Sequence, residues 1–147
     1  MSAERRPDLA AMLFPLGRAL VALEEPILAE HDLGMWAYAV LAGLGDGPVR
    51  TQAALAEAIG ADKSRVIAVL DDLQARELIE RRPDPADRRV RLVSLTPAGR
   101  RLRDRVQDAI QHAEQRYLEV LPAGDREAFL RSLRTLARAV RAGRRTS

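Results

Sequence analysis

The chain has 147 residues, 47% of them hydrophobic and 31% charged, a length and balance that suit one soluble globular unit with a single core. It holds no cysteine and only two histidines, His31 and His112, which excludes disulfides, thiolate metal sites and thiol redox switching. The net charge is only +3, yet Lys63 is the sole lysine, and between Arg81 and Arg105 nine arginines stand against three aspartates. That local excess is the footprint expected of a phosphate-binding surface.

No apolar run approaches the ~20 residues that span a bilayer. The start MSAERRPD lacks the apolar core and cleavage site of a signal peptide, so no membrane is expected and the expected compartment is the cytoplasm. From residue 9 to about 30, Leu9, Met12, Leu13, Leu16, Leu20, Leu23 and Ile27 recur at steps of three and four, the stripe of one helix. Pro15 and Pro26 are expected to kink or end it. Residues 34–44 read as a buried helix, and GDGP at 45–48 as a turn. Thr51 is a good N-cap for a short helix that Gly60 ends, and Asp62 can cap another two residues later. In that second helix Val66, Val69, Leu70 and Leu73 form the buried stripe. Ser64, Ala68, Asp71 and Ala75 face away from it, flanked by Arg65 and Ile67. Two short helices around a glycine-containing turn have the shape of a helix-turn-helix.

LIERR at 78–82 reads as a strand, PDPAD as a turn, and the alternating run 90–95 as the return strand of a hairpin. Thr96 before Pro97 is a helix start. From there Leu102, Val106, Ile110, Ala113, Tyr117 and Val120 mark a helix of ~25 residues, which LPAGD breaks. Phe129, Leu130, Leu133, Leu136, Ala137 and Val140 mark a last helix; the first seven residues and the tail GRRTS are expected to be loose. The fold expected is mostly α with a small β-wing. The helix-turn-helix and hairpin form a winged helix-turn-helix at 45–96, with recognition helix 62–76 and wing 78–95. The tip DPADRR would hold Arg89 out to a narrow minor groove, where negative potential is concentrated. Asp87, two residues earlier, is expected to pair with an arginine and fix the tip.

The run DKSRVIAVLDDLQARELIERRPDPADRRVRLVSLTPAGR resembles the central signature of the MarR (multiple antibiotic resistance regulator) family of transcriptional regulators. Asp87, Arg89, Leu95 and Thr96 fit its wing element, and TQAALAEAIGADKS its helix-turn-helix entry. The resemblance implies a single MarR-type subunit over 1–147, acting as a homodimer on double-stranded DNA with a pseudo-palindromic operator. It also implies repression of nearby genes, relieved by a small phenolic or other aromatic ligand. Residues 8–30 and 97–142 would be the N- and C-terminal dimerisation helices. Their apolar seams exceed what a ~50-residue winged helix can cover. Two departures stand out. Glu77 occupies the place where the family usually ends the recognition helix with a left-handed glycine, so a different local cap is expected. Ile67 and Ala68 stand where the family often has threonine and arginine, which shifts base reading toward Ser64 and Arg65 and leaves Ile67 or Ala68 to meet a thymine methyl. Thr51, Gln52, Lys63 and Arg88 suit phosphates.

Met12, His31, Met35, Trp36 and Tyr38, near the junction of the first two helices, are the candidate effector-pocket residues. His31 and His112, with Glu30 or Glu114, are the only material for a metal-responsive regulator, and no metal or other cofactor is expected. An enzyme is disfavoured, since the chain has no glycine-rich phosphate loop and no Ser-His-Asp arrangement at a suggestive spacing. The remaining alternative is a winged helix used for protein docking or as an architectural DNA binder with little sequence preference.

Overall fold

The computed structural model describes residues 5–45 and 50–145. Helix α1 (Leu9–Glu30) runs through Pro15 and Pro26 rather than ending at either. Each proline removes one N–H, but the carbonyls this leaves without an intrahelical donor belong to Ala11 and Ala22, both exposed and so open to solvent. The helix closes with Leu33 N–H donating to the Leu28 carbonyl at 3.0 Å and Asp32 N–H to that of Ala29 at 3.1 Å. Asp32 sits at φ 52°, and Leu28 and Leu33 are both buried. Helix α2 (Met35–Leu44) follows and buries Ala37, Val40, Leu41 and Leu44. Of the expected turn at 45–48, only Gly45 falls within the described residues.

Strand β1 (Arg50–Thr51), not anticipated from sequence, leads into α3 (Gln52–Ile59). Thr51 caps that helix as expected, its hydroxyl oxygen accepting from Ala54 N–H at 3.0 Å, and Gly60 closes it at φ 72°. Helix α4 (Lys63–Ala75) begins at Asp62, whose carboxylate accepts from Arg65 N–H at 2.9 Å. Val66, Leu70 and Leu73 are buried beneath it. Strands β2 (Ile79–Pro83) and β3 (Arg91–Leu95) form the hairpin, and the antiparallel sheet has the order β1-β3-β2 with Thr51 opposite Leu92 and Arg81 opposite Val93.

The end of α4 departs from expectation. Glu77 keeps the left-handed turn at φ 58°, with Leu78 N–H donating to Leu73 O at 3.0 Å and Glu77 N–H to Gln74 O at 2.9 Å. The cost of a Cβ there, about 1 kcal/mol, is offset by the burial of Leu73 and Leu78 and by contacts to the next helix. That helix, α5 (Pro97–Leu118), starts at Thr96, whose Oγ1 accepts from Gly99 N–H at 3.0 Å. A Cβ on Gly99 would lie 1.9 Å from the Leu78 carbonyl oxygen, so only glycine lets α5 cross the start of the hairpin this closely. Helix α5 buries Leu102, Val106 and Ile110 and stops short of Val120, because Pro122 disfavours helical backbone at Leu121.

Helix α6 (Ala123–Arg145) continues through Gly143, so residues 143–145 of the expected loose tail are helical. One glycine costs about 1 kcal/mol, too little to end a long helix. Thr146 and Ser147 lie outside the described residues. Val40, Leu41, Leu55, Leu70, Leu73, Ile79, Val93 and Val106 form the heart of the core. The N-terminal part of α1 and helix α6 stand apart from it, with Met12, Leu13 and Phe14 on α1 and Leu130, Leu133, Leu136 and Val140 on α6 exposed, while the end of α1 joins the core through Leu28. No helix among the described residues is long and apolar enough to cross a membrane.

Candidate nucleic-acid interface

The start of α3, one flank of α4 and the return arm of the wing enclose a groove of about 420 Å³. Thr51, Gln52, Lys63, Ile67 and Arg89 line it together, with Arg91 added. These side chains come from three elements that the sheet and the two caps hold in place. The Thr51 hydroxyl spends a lone pair on its cap, which leaves its proton for an outside acceptor. Gln52 accepts from Arg81 through Oε1 at 3.3 Å, so its amide N–H groups remain the donors it can offer. Lys63, Ser64, Arg65, Ile67 and Ala68 are all exposed on α4. Asp62 holds the carboxylate of this end of α4 back in the cap, and the cations follow it.

The wing tip is built by its aspartates. Asp84 accepts from Ala86 N–H at 2.9 Å, and the Asp84 and Val90 backbones close the loop at 2.8 Å. Asp87 takes Arg89 Nε at 3.1 Å, Nη2 at 3.2 Å and backbone N–H at 3.1 Å. The Arg89 side-chain hydrogen bonds, and then its backbone N–H, hold the Asp87 carboxyl below the usual aspartate range. Arg89 thus has a defined orientation while its side chain stays 91% exposed. Arg88, beside it, is exposed as well.

Sequence reasoning missed Arg81. From β2 it donates Nε to Gln74 Oε1 at 2.7 Å, Nη1 to Gln52, and Nη2 to the Asp71 carboxylate, so one guanidinium ties the wing to both helices of the helix-turn-helix. It also neutralises Asp71, the aspartate on the outer face of α4. The only signal in the sequence was the period of two in β2, which puts Arg81 on the opposite face from Glu80 and Arg82.

The five candidate pocket residues are not gathered at one place within the subunit. Met12 on α1 and His31 at its C-cap are 19 residues apart, roughly 28 Å along the helix axis. His31 is half-buried, with Nδ1 2.9 Å from the Ile27 carbonyl oxygen, while Met12 and Met35 are exposed. Trp36 lies under the Arg65 guanidinium, 5.4 Å from ring centroid to Cζ. Tyr38 is half-buried; burial, then Glu24 and Glu114, push its phenol above the usual range, against the pull of Arg103. These four groups mark a polar junction of α1, α2 and α5. Burial raises both carboxyls, and Glu114 raises Glu24 further. Among the described residues no three histidine, aspartate or glutamate groups converge as a metal site, and His112 is exposed on α5.

Comparison with known proteins places this geometry. A family model described as MarR family matches residues 31–90. The HTH-type transcriptional repressor NicR of Pseudomonas putida is 33% identical over 67% of this chain, and the chain spans 63% of NicR's length. The transcriptional regulator HosA of Escherichia coli is 31% identical over 74% of this chain and 80% of its own. The crystal structure of CouR from Rhodococcus jostii RHA1, bound to p-coumaroyl-CoA, is 29% identical, with a TM-score of 0.74 over 88% of this chain and 92% of CouR.

Proposed function

The chain belongs to the MarR family of transcriptional regulators, and on that footing we propose that it is a homodimeric, sequence-specific DNA-binding repressor relieved by a small aromatic effector. The observation that carries this reading is the groove between α3, α4 and the wing, where Thr51, Gln52, Lys63, Ile67 and Arg89 converge. Helix α4 enters the major groove with Ser64 and Arg65 toward base edges, and Ile67 or Ala68 toward a thymine methyl. Thr51, Gln52, Lys63 and Arg88 take phosphates, and Arg89, oriented by Asp87, enters the adjacent minor groove. Residues 45–96 act as the reading unit.

The exposed apolar faces of α1 and α6 supply the dimer interface, within the spans 8–30 and 97–142, so that two copies meet two halves of a pseudo-palindrome. The junction of α1, α2 and α5 around Tyr38 is the effector site. A phenolic or aryl ligand there is supported by the p-coumaroyl-CoA held by CouR. The reaction-free role follows that of the relatives, which are named as regulators.

The test is binding of the purified protein to the intergenic DNA beside its own gene and to random DNA, at two salt concentrations. The expected result is a preference of about 10³-fold or more that survives the higher salt. Equal, salt-sensitive binding to that DNA and to a genome-selected pool would overturn sequence specificity in favour of an architectural role.

A further inference from the structure

We propose that Trp36 is a positioning residue for DNA recognition: its indole is a shelf that restricts the Arg65 guanidinium to one orientation on the recognition helix. This rests on the reading of α4 as that helix. Trp36 lies in the first turn of α2 and is the only tryptophan of the chain. The Arg65 guanidinium lies over its ring, Cζ 5.4 Å from the centroid, with Nε also 3.9 Å from the Asp62 carboxylate. Asp62 is itself fixed by the cap bond from Arg65 N–H. The arginine is therefore held between a ring and a carboxylate, yet its side chain remains 55% exposed.

The geometry favours recognition for a specific reason. The attraction of a ring face for a guanidinium rests on its charge and needs no hydrogen-bond acceptor, so the N–H donors remain to be paired elsewhere. An arginine that is already restricted loses less rotamer freedom when it meets a base. At ~100° per residue Arg65 lies roughly 200° around α4 from Lys63 and Ile67, which line the groove toward the wing. Arg81 and the Asp87–Arg89 pair order the wing flank; Trp36 orders the other.

The test is a double-mutant cycle of Trp36→Leu and Arg65→Ala, titrated with operator and with random DNA, with folding and dimer state followed by circular dichroism and gel filtration. Trp36→Leu is expected to weaken operator binding about three- to fivefold and leave random DNA unchanged. Trp36→Phe, which keeps an aromatic face, recovers most of the loss. In the Arg65→Ala background Trp36→Leu has no further effect. Arg65→Lys, which keeps the charge and stacks poorly, reproduces the loss without touching the packing of α2. An undiminished loss in the Arg65→Ala background, a gain in affinity, or no change overturns the shelf. If Arg65→Ala itself leaves operator affinity intact, the reading of Arg65 as a base contact falls instead.

Discussion

The Thr96 hydroxyl donates a 2.7 Å hydrogen bond to the carbonyl oxygen of Glu77, the residue that closes α4 in the left-handed turn. The Thr96 hydroxyl oxygen in turn accepts from Gly99 N–H, and Thr96 N–H donates to Leu78 O at 3.1 Å. One side chain thus closes α4 at its end and opens α5. Glu77→Gly removes the Cβ strain at φ 58° and is expected to stabilise the fold by about 1 kcal/mol, raising the melting temperature by roughly 2–4 °C. Thr96→Val loses the cap and leaves the Glu77 carbonyl without its donor, for a cost of about 2 kcal/mol. Thermal melts of the two variants check both directions; a destabilised Glu77→Gly would show that the glutamate side chain has a role beyond the turn.

Arg81→Met unties the wing from α3 and α4 and leaves the Asp71 charge facing outward. Binding to operator and to random DNA is expected to fall alike, on the order of tenfold. Asp71→Asn, added to that variant, recovers part of the loss by removing the charge. Affinities that do not move would mean that the sheet alone positions the wing.

Arg89→Ala is expected to weaken operator binding on the order of tenfold while gel filtration shows an unchanged oligomer. Asp87→Asn follows in the same direction with a smaller effect. The Asp87 pKa is lowered in the folded protein, so its pairing is present above the ordinary aspartate value of 3.8 and is lost only as pH falls through the lowered one. Operator affinity measured from about pH 5 upward therefore carries no Asp87 titration.

Glu24 and Glu114 behave in the opposite sense. Their pKa values are raised, so the folded state binds more protons than the unfolded chain. Stability falls as pH rises from the ordinary value of 4.5 through the raised ones. Glu114→Gln is expected to raise the melting temperature at pH 7, change little at pH 4, and flatten the profile between. A parallel shift at both pH values would assign the effect to packing.

Most of this architecture was legible because its signals are local. Thr51, Asp62 and Thr96 each declare a helix start by residue type, and each accepts the capping bond that its type predicts. The wing could be placed because two alternating runs flank a turn rich in proline and aspartate. What escaped was tertiary. Strand β1 has two residues and no period to read. The turn at Glu77 survives without glycine because Thr96, 19 residues later, holds its carbonyl. No spacing rule tells that Arg81 meets Gln52, 29 residues away, or that Trp36 lies beneath Arg65 rather than beside Met12.

The outward apolar side chains of the terminal helices, Phe14 at 71% exposure and Leu136 and Val140 near 60%, carry a consequence of another kind. In the proposed homodimer a second copy completes these end helices, so the subunit would answer to mass action and its melting point would rise with its own concentration. Under the proposed repression, its abundance in the cell would act twice over, through occupancy of the operator and through the supply of paired subunits able to occupy it. A promoter under such control responds more steeply to dilution at cell growth than a monomeric reader would allow.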